Sequence, residues 1–208
     1  MTIVLHNHDL LADAYAIRLF LALAGIPHDT RTVAILPGDG ADTPAYRALA
    51  PAGTVPTLVD GDVVLTRPVA MLVHLAERRA PAGWLPAEPA ARAAVFDWLA
   101  FAAGDLRALE DARLRAMFGR PSELADPLAA ARAAFRVLEG HLVRRTLDGF
   151  ATVAGDRPTI ADVALFPAVA LAADAGLGME EFPRLAIWAR GIHALPGFVT
   201  MPGVREVV

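Results

Sequence analysis

TVPTLVDGDVVLTRPVAML, from Thr54 to Leu72, decides how the first part of the chain is built. Thr54–Val59 and Val63–Leu65 are β-branched and apolar, and Asp60-Gly61 between them is a tight hairpin signal. Pro68 then opens a helix that runs to Arg79. Proline is favoured at a first helical position because its missing N–H costs the helix nothing there. The first backbone N–H groups of a helix are unpaired and attract anions. Here Pro68 removes one such donor and Arg67 adds a full positive charge, so the junction raises the question of what it holds.

Working outward, Thr2–Leu5 reads as a first strand, and Asp13 as the cap of a helix ended by Gly25 and Pro27. Thr30–Ile35 reads as a second strand, Pro37–Asp42 as a loop and Thr43–Ala50 as a short helix. The order β-α-β-α-β-β-α predicts a mixed sheet with helices on its faces over residues 1–80. Pro81, Gly83, Pro86 and Pro89 mark a linker over residues 81–89. Residues 90–208 read as helical throughout, with helices over Ala91–Leu109, Ala125–Leu147, Thr159–Ala175 and Arg184–Leu195. The fold class is thus a small α/β domain followed by an all-α domain.

Bulk properties narrow the function. The 208 residues carry a net charge of -4 with no run of like charge, which argues against nucleic acid as a partner. With no cysteine, disulfides, thiolate metal sites and a cysteine nucleophile are excluded, and a reducing cytoplasm fits. Mean hydropathy is high at +0.43, but the longest apolar stretches, Ala14–Ile26 and Val163–Ala173, are broken by Arg18 and Pro167. A membrane span needs ~20 mostly apolar residues, so none is expected. The N-terminus MTIVLHNHDLL has neither the basic start nor the long apolar run of a secretion signal.

Several motifs point to one family. Ala50-Pro51-Ala52-Gly53-Thr54-Val55-Pro56-Thr57-Leu58 resembles the loop and strand of the thioredoxin-like domain of glutathione transferases. In that family the residue before a cis proline offers its backbone to the cysteinyl part of glutathione. Gly155-Asp156-Arg157-Pro158-Thr159-Ile160-Ala161-Asp162 resembles the capping-box segment of the family's helical domain. Trp84-Leu85-Pro86, Trp98-Leu99-Ala100-Phe101, Phe182-Pro183-Arg184-Leu185 and the tail motifs Leu195–Val199 and Met201-Pro202-Gly203 add to the likeness. The resemblance implies the glutathione transferase fold, glutathione as co-substrate and no metal. It also implies a homodimer, a small electrophile or acidic metabolite as partner, and a role in detoxification.

A transferase of this kind lowers the pKa of the glutathione thiol, because the thiolate is the nucleophile. The family's donor to that sulfur is a tyrosine, serine or cysteine between the first strand and first helix. Here the segment is His6-Asn7-His8-Asp9-Leu10-Leu11-Ala12-Asp13-Ala14-Tyr15, and Leu11 stands where serine-type members keep their hydroxyl. Asn7, His8 and Tyr15 are the substitute donors, although histidines at a strand end are usually solvated or hydrogen-bonded loop residues and a helical tyrosine more often packs. His6 and His8, two apart on a strand, share a face, but no third metal ligand lies nearby.

The family likeness implies that Thr54, Val55, Pro56, Arg67 and Pro68 form the glutathione site. Family members carry an acid and a serine where this chain has Arg67-Pro68. Arg67 repels an ammonium, and Pro68 offers neither hydroxyl nor N–H. Leu11, Phe101, Arg107, Arg113 and Phe118 are the candidates for the electrophile pocket. Two functions follow as expectations: an enzyme using glutathione thiolate on small hydrophobic electrophiles, or a non-catalytic binding or scaffold protein whose glutathione site is lost or re-purposed.

Overall fold

The computed structural model describes residues 2–35, 38–202 and 204. Pro37 of the expected loop and Gly203 of the tail motif lie outside these residues. Strand β1 (Ile3–Asn7) lies at the centre of a sheet, with β2 (His28–Thr32) parallel to it on one side and β3 (Thr57–Asp60) antiparallel on the other. Strand β4 (Val63–Leu65) pairs with β3 through the Asp60-Gly61 hairpin, giving the order β2-β1-β3-β4. Ile3, Leu5 and Asn7 point one way from β1 and are buried, while Val4 and His6 alternate to the half-buried face. That period of two selects which face of the sheet meets the helices.

Helix α1 (Ala12–Leu23) connects β1 to β2, α2 (Pro44–Leu49) precedes β3, and α3 (Pro68–Arg78) follows β4. Thr43 caps α2 by accepting the Tyr46 amide, and Pro68 sits at the first position of α3 as its fixed φ favours. Ile17, Phe20, Leu58, Met71, Leu72 and Leu75 form the core beneath the sheet. The rest of the described chain is helical: α4 (Pro89–Ala103), α5 (Arg107–Phe118), α6 (Pro127–Leu147), α7 (Ile160–Ala170) and α8 (Pro183–His193). Among the described residues no helix is long and apolar enough to cross a membrane.

The two parts share one continuous hydrophobic core, with α7 packed against α1, α3 and α4. Trp84, between α3 and α4, stands edge-on to Phe20 of α1 at 5.2 Å, and its carbonyl accepts the Ile160 amide at 3.0 Å. The linker therefore grips both sides of the seam. The capping box forms as its residues require: the Thr159 amide donates to Asp162 Oδ2 at 2.9 Å, while the Thr159 hydroxyl accepts at the start of α7. Asp162, fully buried, also receives the Val153 amide and the Trp188 indole N–H, both at 3.0 Å. Burial pushes its carboxyl above the usual range, and these donors oppose the shift.

Four expectations need correction. The helix expected over Ala91–Leu109 divides into α4 and α5, because Gly104 leaves helical geometry at the end of α4. The second strand begins at His28 rather than Thr30, since pairing from Ile3↔His28 to Asn7↔Thr32 overrides β-branched composition. Asp13 does not cap α1: the cap position is Leu11, which makes no side-chain bond, and Asp13 lies in the first turn. Past Ala170, the expected long helix tightens into a separate 3₁₀ turn at Ala172–Ala175.

Candidate functional site

The seam between the sheet-bearing part and the helical part encloses a cavity of about 620 Å³. One wall is the loop before β3 and the start of α3, contributing Thr54, Val55, Thr66, Arg67, Pro68 and Val69. Asp13 and Ala16 of α1 form its floor, and Ala102, Ala103, Arg107 and Ala164 its helical wall. Small alanines on that wall leave room that larger side chains would fill. The volume falls in the ordinary range for a small-molecule site.

Local bonding fixes the loop. The Val55-Pro56 peptide is cis. The Thr54 carbonyl accepts the Tyr46 hydroxyl at 2.7 Å and the Thr57 hydroxyl at 3.1 Å, and the Thr54 hydroxyl donates to the Thr66 carbonyl at 3.3 Å. The two stretches that bracket the cavity, before β3 and after β4, are thus tied to each other. Val55, which lines the cavity, follows directly on the braced Thr54.

Charge at the site is mostly positive. Arg67 is exposed and takes part in none of the ion pairs among the described residues. Arg107 Nη1 donates to Asp13 Oδ2 at 3.3 Å across the seam. Burial raises the Asp13 carboxyl, and Arg107 pulls it back down. Behind this pair, Glu110 of α5 pairs with Arg113 at 3.5 Å. Its carboxyl is raised by burial, with Arg113 opposing.

Of the residues expected at the site, the structure brings together Thr54, Val55, Arg67, Pro68 and Arg107. Pro56 adjoins Val55 without lining the cavity, and Leu11 lies half-buried at the cap of α1. The expected donors are engaged elsewhere. Asn7 is buried, its amide NH2 donating to Asp9 Oδ1 at 2.8 Å while its oxygen accepts Arg18 Nη1 at 2.8 Å. The Tyr15 hydroxyl donates to the Val199 carbonyl at 2.8 Å, and burial pushes its phenol above the usual range. His8 is buried, with Nδ1 accepting the Leu10 amide at 3.3 Å. These three residues sit behind the cavity wall because the end of β1 and the inner face of α1 turn them toward the core.

Three pocket candidates are also displaced. Arg113 is fully buried, donating from Nε to Asp174 at 3.0 Å and from Nη1 to the Leu10 carbonyl at 2.6 Å. It ties α5 to the loop after β1. Phe101 turns to a different groove between α4, α5 and α6, and Phe118 is exposed at the end of α5. Sequence reasoning missed Asp13, Ala16, Thr66, Val69, Leu72, Ala102, Ala103 and Ala164 as lining residues. For Asp13 no local signal exists, since its partner lies 94 residues away. Among the described residues no group of three or more His, Asp or Glu side chains is placed to hold a metal ion.

Comparison with known proteins follows the same division. The family profile "Glutathione S-transferase, N-terminal domain" matches residues 14–78, and "Glutathione S-transferase, C-terminal domain" matches residues 90–191. Bovine glutathione S-transferase theta-1 is 33% identical over 96% of this chain and 86% of its own length. Mouse glutathione S-transferase theta-3 is 30% identical over 93% of this chain and 83% of its own. A glutathione S-transferase structure from Pseudomonas fluorescens is 27% identical, superposes with a TM-score of 0.86, and spans 97% of this chain and all of that one (100%). With a thioredoxin-like sheet domain, a helical domain and a cavity at their seam, the chain belongs to the glutathione S-transferase family.

Proposed function

We propose that the protein binds a glutathione-type thiol in the seam cavity and presents its thiolate to a small hydrophobic electrophile held against the helical wall. One observation carries this reading: Val55 and Arg67 line the same cavity as the apolar Ala102, Ala103 and Ala164. A thiol in that space sits in the field of Arg67 and Arg107, and nearby positive charge favours the thiolate. Activation by that field takes the place of a hydroxyl donor. The thiol proton leaves to solvent, the sulfur attacks the electrophilic carbon, and its leaving group departs or its π-bond accepts the electron pair.

The test is calorimetric titration with glutathione, paired with ultraviolet absorbance of the bound thiolate as pH is varied. Saturable heat and a thiolate band below the free thiol's pKa are expected; absence of heat with folded protein overturns the reading. A second reading is a non-catalytic binding protein, favoured by the engaged Tyr15 hydroxyl and Asn7 amide. It is supported instead by binding without any thiolate shift and without turnover of an aryl halide electrophile. Residence in the cytoplasm, a role in detoxification and a homodimer belong to the same proposal. Exposed Val63 and Val64 on edge strand β4, with Phe96 on α4, support the dimer.

A further inference from the structure

The charges around the cavity are unevenly matched. Asp13 is the only acidic side chain lining it among the described residues, and Arg107 holds that carboxylate at 3.3 Å. Arg67 stands opposite with no acidic partner among the described residues, and Pro68 beside it has no N–H to give. A ligand ammonium entering here meets two arginines and one committed carboxylate. A ligand carboxylate meets a guanidinium with its donors open, a pairing that planar fork geometry favours.

We infer that the site selects an acid with no free ammonium: a carboxylate seated on Arg67, joined to a body that reaches the Thr54–Val55 wall. This rests on the proposed thiol-binding function and specifies its ligand class. Among thiol peptides, the preferred ligand is therefore one built like glutathione without its amino group. Thr54 and Thr66 add polar, uncharged surface that suits an acyl chain and amide.

Titration calorimetry on the full chain tests this with glutaryl-cysteinyl-glycine, glutathione, glutathione amidated at the glutamyl α-carboxylate, and glutarate. Glutaryl-cysteinyl-glycine binds roughly fivefold tighter than glutathione, and the amidated peptide binds at least as much weaker. Arg67→Glu, at an exposed position, reverses the order of the first two. Equal or tighter binding of glutathione overturns the inference and leaves the proposed function standing. A preference that survives Arg67→Glu also overturns it. If no thiol peptide binds, the proposed function fails, and glutarate decides the inference: binding lost in Arg67→Glu supports it, and no binding to the wild-type chain overturns it.

Discussion

Asp13 on α1 and Arg107 on α5 meet across the seam at 3.3 Å, with both side chains about half exposed. An exposed pair of this kind adds ~0–1 kcal/mol to stability. Its larger effect is on the cavity, where Asp13 neutralises one of two cations. Asp13→Asn is expected to leave the unfolding midpoint nearly unchanged and to tighten a carboxylate ligand such as glutarate by a few-fold, roughly the worth of one exposed charge pair. Calorimetry with both proteins checks it, and unchanged or weaker glutarate binding contradicts it.

Asp162 is a structural acid. It is fully buried and accepts from the Val153 and Thr159 amides, the Thr159 hydroxyl and the Trp188 indole. Asp162→Ala strands these donors in the core and is expected to cost about 3–4 kcal/mol. Thr159→Ala, which removes only the cap hydroxyl, should cost about 1 kcal/mol. Urea unfolding of both variants measures the ratio; equal costs would show that the carboxylate serves the cap alone.

Arg113 presents the opposite case to Arg67. With its guanidinium sealed between Asp174, Glu110 and the Leu10 carbonyl, it has no route to a ligand. Arg113→Ala leaves two half-buried carboxylates and the Leu10 carbonyl without this partner and is expected to destabilise by about 3 kcal/mol. Ligand affinity per folded molecule should change little. A selective loss of affinity at constant stability would return Arg113 to the binding site.

Asp60 closes the β3–β4 hairpin onto α3, accepting His74 Nε2 at 2.8 Å and Arg79 Nε at 2.9 Å. Bonding to Arg79, strengthened by His74 and opposed by burial, lowers its carboxyl to about 2. A depressed carboxyl contributes stability above its unfolded range near pH 4, and that stability is lost as pH falls toward about 2. Glu110, raised by burial, acts with the reverse sign: its contribution is greatest below the unfolded range and declines as pH rises through its folded value. The thermal midpoint should therefore fall below about pH 4, and Asp60→Asn should flatten that limb while costing about 2 kcal/mol at neutral pH. An acid limb of unchanged steepness in the variant would assign acid sensitivity elsewhere.

What the sequence revealed was what short-range chemistry determines. Pro68 at the start of α3, the Thr159–Asp162 box and the Asp60-Gly61 hairpin each depend on neighbours within a few residues, and each forms as expected. The arginines were not separable in this way. Arg67, Arg107 and Arg113 look alike in a string, yet one is exposed, one is half-paired and one is buried. Their fates depend on Asp13, Asp174 and Leu10, which fold brings in from distant positions. Asn7, read as a donor to the thiol, is engaged for a subtler reason: its partner Asp9 is two residues away, but only the turn after β1 aims the two side chains together.

Arg113 on α5, paired with Glu110 one turn before it, clasps the carbonyl of Leu10 just ahead of the α1 cap position, Leu11. The loop that leads from the first strand into the first helix is therefore moulded by the other half of the molecule. Recombining this sheet-bearing half with the helical half of a relative would carry over the cavity's Arg67 but not this clasp. Such a chimera needs the arginine grafted with it, or the turn before its first helix loses this hold. Drift in the helical half can in this way reshape the entry to the first helix without altering a single residue there.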